Sequence, residues 1–256
     1  MSWLDVILLA IVEGLTEFLP VSSTGHMILL SSLLHIESEA ITKDFEIIIQ
    51  FGAILSVLAL YSKKILQNPI LIYKLVVAFV PTAIIGFLLK DQVDVLLESP
   101  WVVVCSLFVG GVILCFSDRW FAQQQQNGKI IEDLHVQQLL LIGLIQSAAI
   151  IPGVSRSAAT ILAGVMMGLN FKESAKFSFL LALPTLGGAA LLRAMKLNMA
   201  TMSQIIPQLL VGSLIAFVIC YLTMTFLLSF LQKHGFRAFG IYRIVVAIAM
   251  GLVLSL

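Results

Sequence analysis

Between Glu13 and His26 the chain reads E-G-L-T-E-F-L-P-V-S-S-T-G-H, set between apolar stretches. Glu13 and Glu17 are four apart and therefore share one helical face. Two close carboxylates in a low dielectric do not both stay charged without compensation. Either one holds a proton, or a cation such as Mg²⁺ or Ca²⁺ sits between them, and both outcomes suit phosphoryl chemistry. Ser22, Ser23 and Thr24 follow Pro20 and precede a helical run, which is the pattern of an N-cap. The free amides and positive dipole end of such a turn also suit a phosphate. With His26 in the first turn of that helix, Ser23, the imidazole and the carboxylates supply a nucleophile, a base and an orienting group.

A second polar island, P-G-V-S-R-S-A-A-T, runs from Pro152 to Thr160. Arg156 reads as the one basic residue deep in apolar surroundings. Its planar fork matches phosphate oxygens bidentately, and it could also pair with Glu17. Ser155, Ser157 and Thr160 add donors, and Gly153 allows close backbone approach. Glu46 and Gln50, again four apart, are candidates for the mouth of the site. His35, His135 and His234 fall at segment ends and read as interfacial. Gly110-Gly111 and Gly187-Gly188 read as close helix-packing points. Cys105, Cys115 and Cys220 have no metal-ligand spacing and read as small buried hydrophobes.

The elements that must hold these groups are membrane helices. Of 256 residues, 60% are hydrophobic and 11% charged, against about 45–50% and about 25% in soluble domains. No alternating barrel pattern occurs. The net charge of +1 and the lack of a basic, aromatic-interleaved patch argue against nucleic-acid binding. The N-terminus lacks a basic region and is not read as a signal peptide. Full spans are expected at about 45–62, 69–89, 100–118, 174–195, 203–231 and 239–256. Shorter pieces at 3–19, 26–35, 136–151 and 157–169 fall below the roughly 20 residues a span needs, and read as half-helices.

The order short, short, long, long, long occurs twice. Val21-Ser22-Ser23-Thr24 aligns with Val154-Ser155-Arg156-Ser157, and Glu13 with Gln146. The expectation is one all-α polytopic membrane domain, residues 1–256. Repeat one covers about 1–122 and repeat two about 134–256, joined by the polar loop around Gln123 to Asp133. Each repeat has a re-entrant helical hairpin plus about three transmembrane helices. Odd numbers of crossings invert the second repeat, and such folds bind anions at the midplane. Lys63, Lys64, Lys74, Arg119, Lys129, Lys172, Lys176, Lys233, Arg237 and Arg243 are assigned to one face. Lys43, Lys90, Arg193 and Lys196 are assigned to the other, with Asp5, Glu37, Glu39, Asp44, Asp91, Asp94 and Glu98. The basic face is expected in the cytoplasm and both termini outside.

The E-x-x-x-E stretch running into P-V-S-S-T-G-H, together with P-G-x-S-R-S-x-x-T, closely resembles the bacterial undecaprenyl-diphosphatase family, the bacitracin-resistance type of membrane phosphatase. The resemblance covers the whole chain. It implies hydrolysis of undecaprenyl diphosphate to the monophosphate, which recycles the lipid carrier for peptidoglycan synthesis. It also implies a divalent cation and a site opening to the outer (periplasmic) face of the bacterial cytoplasmic membrane. By position, Glu13, Glu17, Ser23, His26 and Arg156 become the expected catalytic set. Either Ser23 or His26 is the nucleophile. The rival is a secondary transporter or flippase for an anionic or lipid-phosphate substrate, which shares broken helices and a midplane anion site but needs no nucleophile. Oligomeric state has no signature, and a homodimer stands open.

Overall fold

The computed structural model describes residues 1–36, 40–89, 96, 99–196 and 199–255. Apart from one isolated bridge, Lys129 to Leu169, their regular structure is helical. The helices are α1 (Trp3–Thr16), α2 (Ser23–Leu33), α3 (Ala40–Ile48), α4 (Gln50–Gln67), α5 (Pro69–Leu88) and α6 (Pro100–Trp120). Then follow α7 (Ala122–Asn127), α8 (Val136–Gln146), α9 (Arg156–Met166), α10 (Phe171–Lys196), α11 (Met199–His234) and α12 (Arg237–Ser255).

Among the described residues, six helical stretches are long and apolar enough to cross a membrane: Ile41–Gln67, Pro69–Leu88, Pro100–Trp120, Phe171–Lys196, Ile205–His234 and Arg237–Ser255. The chain is a multi-pass membrane protein. Local chemistry sets the boundaries. Ser2 and Asp5 form a capping box that starts α1, and the Asn68 side chain accepts from Leu71 N ahead of Pro69 to start α5. The short helices α2, α8 and α9 have 11 residues each. That is about 16 Å at 1.5 Å per residue, or about half of a bilayer's hydrocarbon thickness.

Packing follows a crossed pattern. α1 lies on α11 and α8 on α5, α4 touches both α10 and α11, and α6 packs along α12. Small residues set the close approaches. A Cβ on Gly143 of α8 would come within 2.0 Å of the Ala78 carbonyl oxygen in α5. Gly111 of α6 similarly faces the Gly240 carbonyl of α12 at 2.9 Å. Gly187 and Gly188 do not behave this way, since added Cβ atoms meet nothing nearer than 3.8 Å and 4.0 Å.

Loop contacts sort the bundle into two ends. At one end Lys74 Nζ donates to the carbonyls of Ile131, Glu132 and Leu134 at 3.0, 2.6 and 2.9 Å. There Lys129 also bonds Gly168 and Asn170, and Asp118 accepts from the Phe236 and Arg237 amides. Gln138, near the start of α8, donates to Met167 after α9 at 2.7 Å, so the feet of that pair meet at this end. At the other end Arg193 pairs with Asp44 at 2.5 Å and Gln208 donates to the Met1 carbonyl. Glu37, Glu39, Lys90, Asp91, Asp94 and Glu98 lie outside the described residues.

The span expected over 45–62 falls inside Ile41–Gln67, with a one-residue turn at Ile49 between Glu46 in α3 and Gln50 in α4. Another expectation changes. Arg243 does not sit at a solvent face: its side chain is fully buried in α12. Arg156 is therefore not the only deep base.

Candidate active site

Two turns, at Ser22 and Ser155, carry the site. Each serine is an N-cap with a positive φ, 73° at Ser22 and 74° at Ser155. Each side chain accepts from the amide three residues on: Gly25 N to Ser22 Oγ at 3.4 Å and Ala158 N to Ser155 Oγ at 3.2 Å. A non-glycine residue in this conformation costs free energy and persists where its surroundings impose it. The first amides of the following helices, Ser23 and Thr24 in α2 and Arg156 and Ser157 in α9, have no acceptor among the described residues. They are free to face an anion.

Side chains join the turns. Arg156 Nη2 pairs with Glu17 Oε1 at 2.7 Å, and both are largely buried. The other oxygen, Oε2, accepts the Ser23 hydroxyl in a short hydrogen bond. Ser157 Oγ crosses to the Leu19 carbonyl at 2.6 Å. Arg156 Nη1 donates to the Ser178 carbonyl at 3.0 Å, its guanidinium lies 5.4 Å from the Phe18 ring centroid, and its Nε has no partner. Thr160 donates to the Arg156 carbonyl and also meets the Ser178 hydroxyl, which steadies the first turn of α9.

His26 is held differently. One ring nitrogen, Nδ1, lies 2.7 Å from the Ser22 carbonyl oxygen and must carry a proton to donate there. In the neutral ring Nε2 then accepts from the Tyr242 hydroxyl at 2.8 Å, and the two rings stack at 5.6 Å, 4° from parallel. Both ring nitrogens are thus engaged away from Ser23, whose own proton goes to Glu17.

A cavity of about 260 Å³ opens between the turns. Glu17, Ser22, Ser23, Thr24, Gly153, Ser155 and Arg156 line it, while Glu13, His26, Ser157 and Thr160 do not. Gln50, Thr82, Gln146 and Thr185 add neutral polar groups to its lining. Thr82 spends its hydroxyl proton on the Gly143 carbonyl at 2.8 Å, so it can only accept from Gln146 Nε2 at 2.7 Å. That orientation leaves Gln146 Oε1 buried without a donor.

The residues of both turns fall within the match, at residues 6–249, to the family described as bacitracin resistance protein BacA. The chain belongs to that family. It is 49% identical over 250 residues to the undecaprenyl-diphosphatase of Bdellovibrio bacteriovorus, covering 98% of this chain and 95% of that protein. It is 44% identical over 256 residues to that of Flavobacterium johnsoniae, covering 99% and 96%. To that of Aquifex aeolicus it is 40% identical over 245 residues, covering 95% of each.

In this member of the BacA family, Arg243 is the residue the sequence hid. It donates to the carbonyls of Pro20 (3.3 Å), Gly153 (2.8 Å) and Val154 (3.1 Å), which belong to both turns, and to Ser106 (3.0 Å) and Leu107 (3.3 Å) in α6. Tyr242 beside it holds His26. By charge alone Arg243 belongs with the basic residues of the cytoplasmic face. Only the tertiary convergence of carbonyls on its position distinguishes it from an interfacial arginine.

The residues fit a hard divalent cation in a limited way. Glu17 has both oxygens committed, whereas Glu13 Oε1 is buried with no partner. Among the described residues no group of three His, Cys, Asp or Glu side chains forms a metal cluster. That set suits a Mg²⁺-like ion that takes one or two carboxylates and completes its shell with phosphate oxygens and water.

Proposed function

We propose that the chain hydrolyses undecaprenyl diphosphate to undecaprenyl phosphate and inorganic phosphate. The observation that carries this reading is the chain Ser23–Glu17–Arg156, which spans both turns at one cavity. The names of relatives matched over nearly the full chain support the substrate. The prenyl tail stays among apolar helices while the diphosphate enters the cavity.

The Arg156 guanidinium and the free amides of the two helix N-termini bind the terminal phosphate and meet charge as it develops. Ser23 Oγ attacks phosphorus and its proton passes to Glu17. The bond from phosphorus to the bridging oxygen breaks, and undecaprenyl phosphate leaves. Water then attacks the phosphoserine, the phosphorus–Oγ bond breaks as Glu17 returns its proton to Ser23, and inorganic phosphate leaves with the oxygen and protons of the water. Glu13, with Glu17, is the candidate holder of a divalent cation, which would neutralise diphosphate charge. His26 is a positioning group for the turn in this scheme, and a phosphohistidine is the competing route.

Inverted repeats with re-entrant hairpins account for the matched serine caps, for the crossed packing of α1 on α11 and α8 on α5, and for the link from Gln138 to Met167. The end bearing Lys64, Lys74, Lys129 and Arg237 is assigned to the cytoplasm by its positive charge. The N-terminus and the opening of the site then face outward from the bacterial inner membrane. Recycling of the lipid carrier there supports peptidoglycan synthesis and underlies bacitracin resistance.

Phosphate release from detergent-solubilised protein given a prenyl diphosphate tests the reading. A phosphatase releases phosphate and loses that release in Arg156→Ala. A transporter gives none in either form but moves lipid phosphate across proteoliposomes.

A further inference from the structure

A guanidinium has five N–H donors, and Arg243 gives them to five backbone carbonyls in three segments. It is fully buried, and no acidic side chain pairs with it among the described residues. Filling α6 and α12 with ordinary apolar contacts would need no such group. The guanidinium fits because Gly110 has no side chain: a Cβ there would lie 2.3 Å from Arg243 Nη2.

The consequence follows from peptide geometry. In a trans peptide the C=O and the next N–H point in opposite directions. Arg243 draws the Val154 carbonyl toward itself, so the Ser155 N–H points the other way. Ser155 lines the cavity, Arg243 does not, and no acceptor for the Ser155 amide occurs among the described residues. The Gly153 carbonyl is held by the same guanidinium. Gly153 has φ of 90°, and a Cβ there would lie 2.8 Å from the Val103 carbonyl oxygen, so the turn cannot easily relax elsewhere.

We propose that Arg243 is a positioning residue that locks the two turns to each other and aims the Ser155 N–H into the cavity as a donor to the phosphoryl oxygens. This rests on the phosphatase reading. The residue touches no substrate. It acts through a peptide whose donor is worth most when charge builds on phosphorus.

The test compares Arg243→Lys, Arg243→Met and Gly110→Ala with the unaltered protein in detergent, reading kcat, KM and inhibition by phosphate and by vanadate. Removing one aimed donor is expected to lower kcat on the order of 10²-fold in Arg243→Met. KM and phosphate inhibition should change little, while vanadate, which mimics the five-coordinate phosphorus, loses affinity in step with kcat. Arg243→Lys keeps the charge but cannot span five carbonyls, and is expected to show the same split. Gly110→Ala pushes the guanidinium without altering its charge, and should show it at roughly a tenth of the effect. Unchanged kcat in Arg243→Met, or equal losses toward phosphate and vanadate, overturns the inference. If Arg243→Met does not fold, the same criteria apply to the other two variants. If the unaltered protein releases no phosphate, the phosphatase reading itself fails and the inference with it.

Discussion

The turns at Ser22 and Ser155 have nearly the same backbone and opposite chemistry. Both begin with a serine cap at positive φ, both open an 11-residue helix, and both present unpaired first-turn amides. Yet the first brings Glu17 and Ser23 where the second brings Arg156, and Glu13 on α1 aligns with Gln146 on α8. The shared part is the anion cradle, which depends on backbone. The divided part is proton transfer and charge, which would cancel if duplicated: two arginines would repel, and two more carboxylates would repel the phosphate. A fold can repeat its geometry while its reactivity must be asymmetric.

The asymmetry is broken most severely by removing what each turn alone supplies. Arg156→Ala should lower kcat for phosphate release by about 10³-fold or more, measured with saturating prenyl diphosphate. Ser23→Ala should cost roughly 10³-fold and abolish any phospho-enzyme trapped from labelled substrate. An acid-labile adduct that persists in this variant would move the nucleophile to His26.

Glu13→Gln makes the first half resemble the second at that position. It should raise the divalent-cation concentration for half-maximal rate by about tenfold, since affinity for hard cations follows ligand charge. The shared part has its own test: Ser22→Ala and Ser155→Ala should each lower unfolding stability by about 1 kcal/mol, and unequal losses in thermal melts would weaken the symmetry. The smallest effect is expected from Tyr242→Phe. It loses one neutral hydrogen bond, about 1 kcal/mol, so kcat should fall by no more than about fivefold. A larger loss would draw His26 into the chemistry.

Much of this was legible before folding. Long apolar runs announce spans, and Ser22 and Ser155 announce caps because hydroxyls before helical runs satisfy orphan amides. The pairing of Glu17 with Arg156 follows from the need of a buried charge for a partner. What stayed hidden depends on tertiary position. Arg243 lies near a helix start, where bases are ordinary, and nothing local says that carbonyls from three segments meet it. His26, three residues after Ser23, suggests a shared proton, but the helix turns it toward Tyr242. The turn at Ile49 has no proline or glycine at that residue to announce it. Gly187-Gly188 looked like a contact point, but composition does not reveal which face of α10 is crowded.

The pair between Glu17 and Arg156 also bears on turnover. In the proposed reaction a phosphate oxygen and Glu17 compete for one guanidinium, so the protein carries a built-in rival for its own product. An arginine held bare in a buried cavity would grip inorganic phosphate and let it go slowly. With the carboxylate 2.7 Å away, each departing phosphate is replaced at once by a resident anion. Weak product retention, rather than strong substrate capture, is what that contact favours in an enzyme that must clear its site for the next lipid.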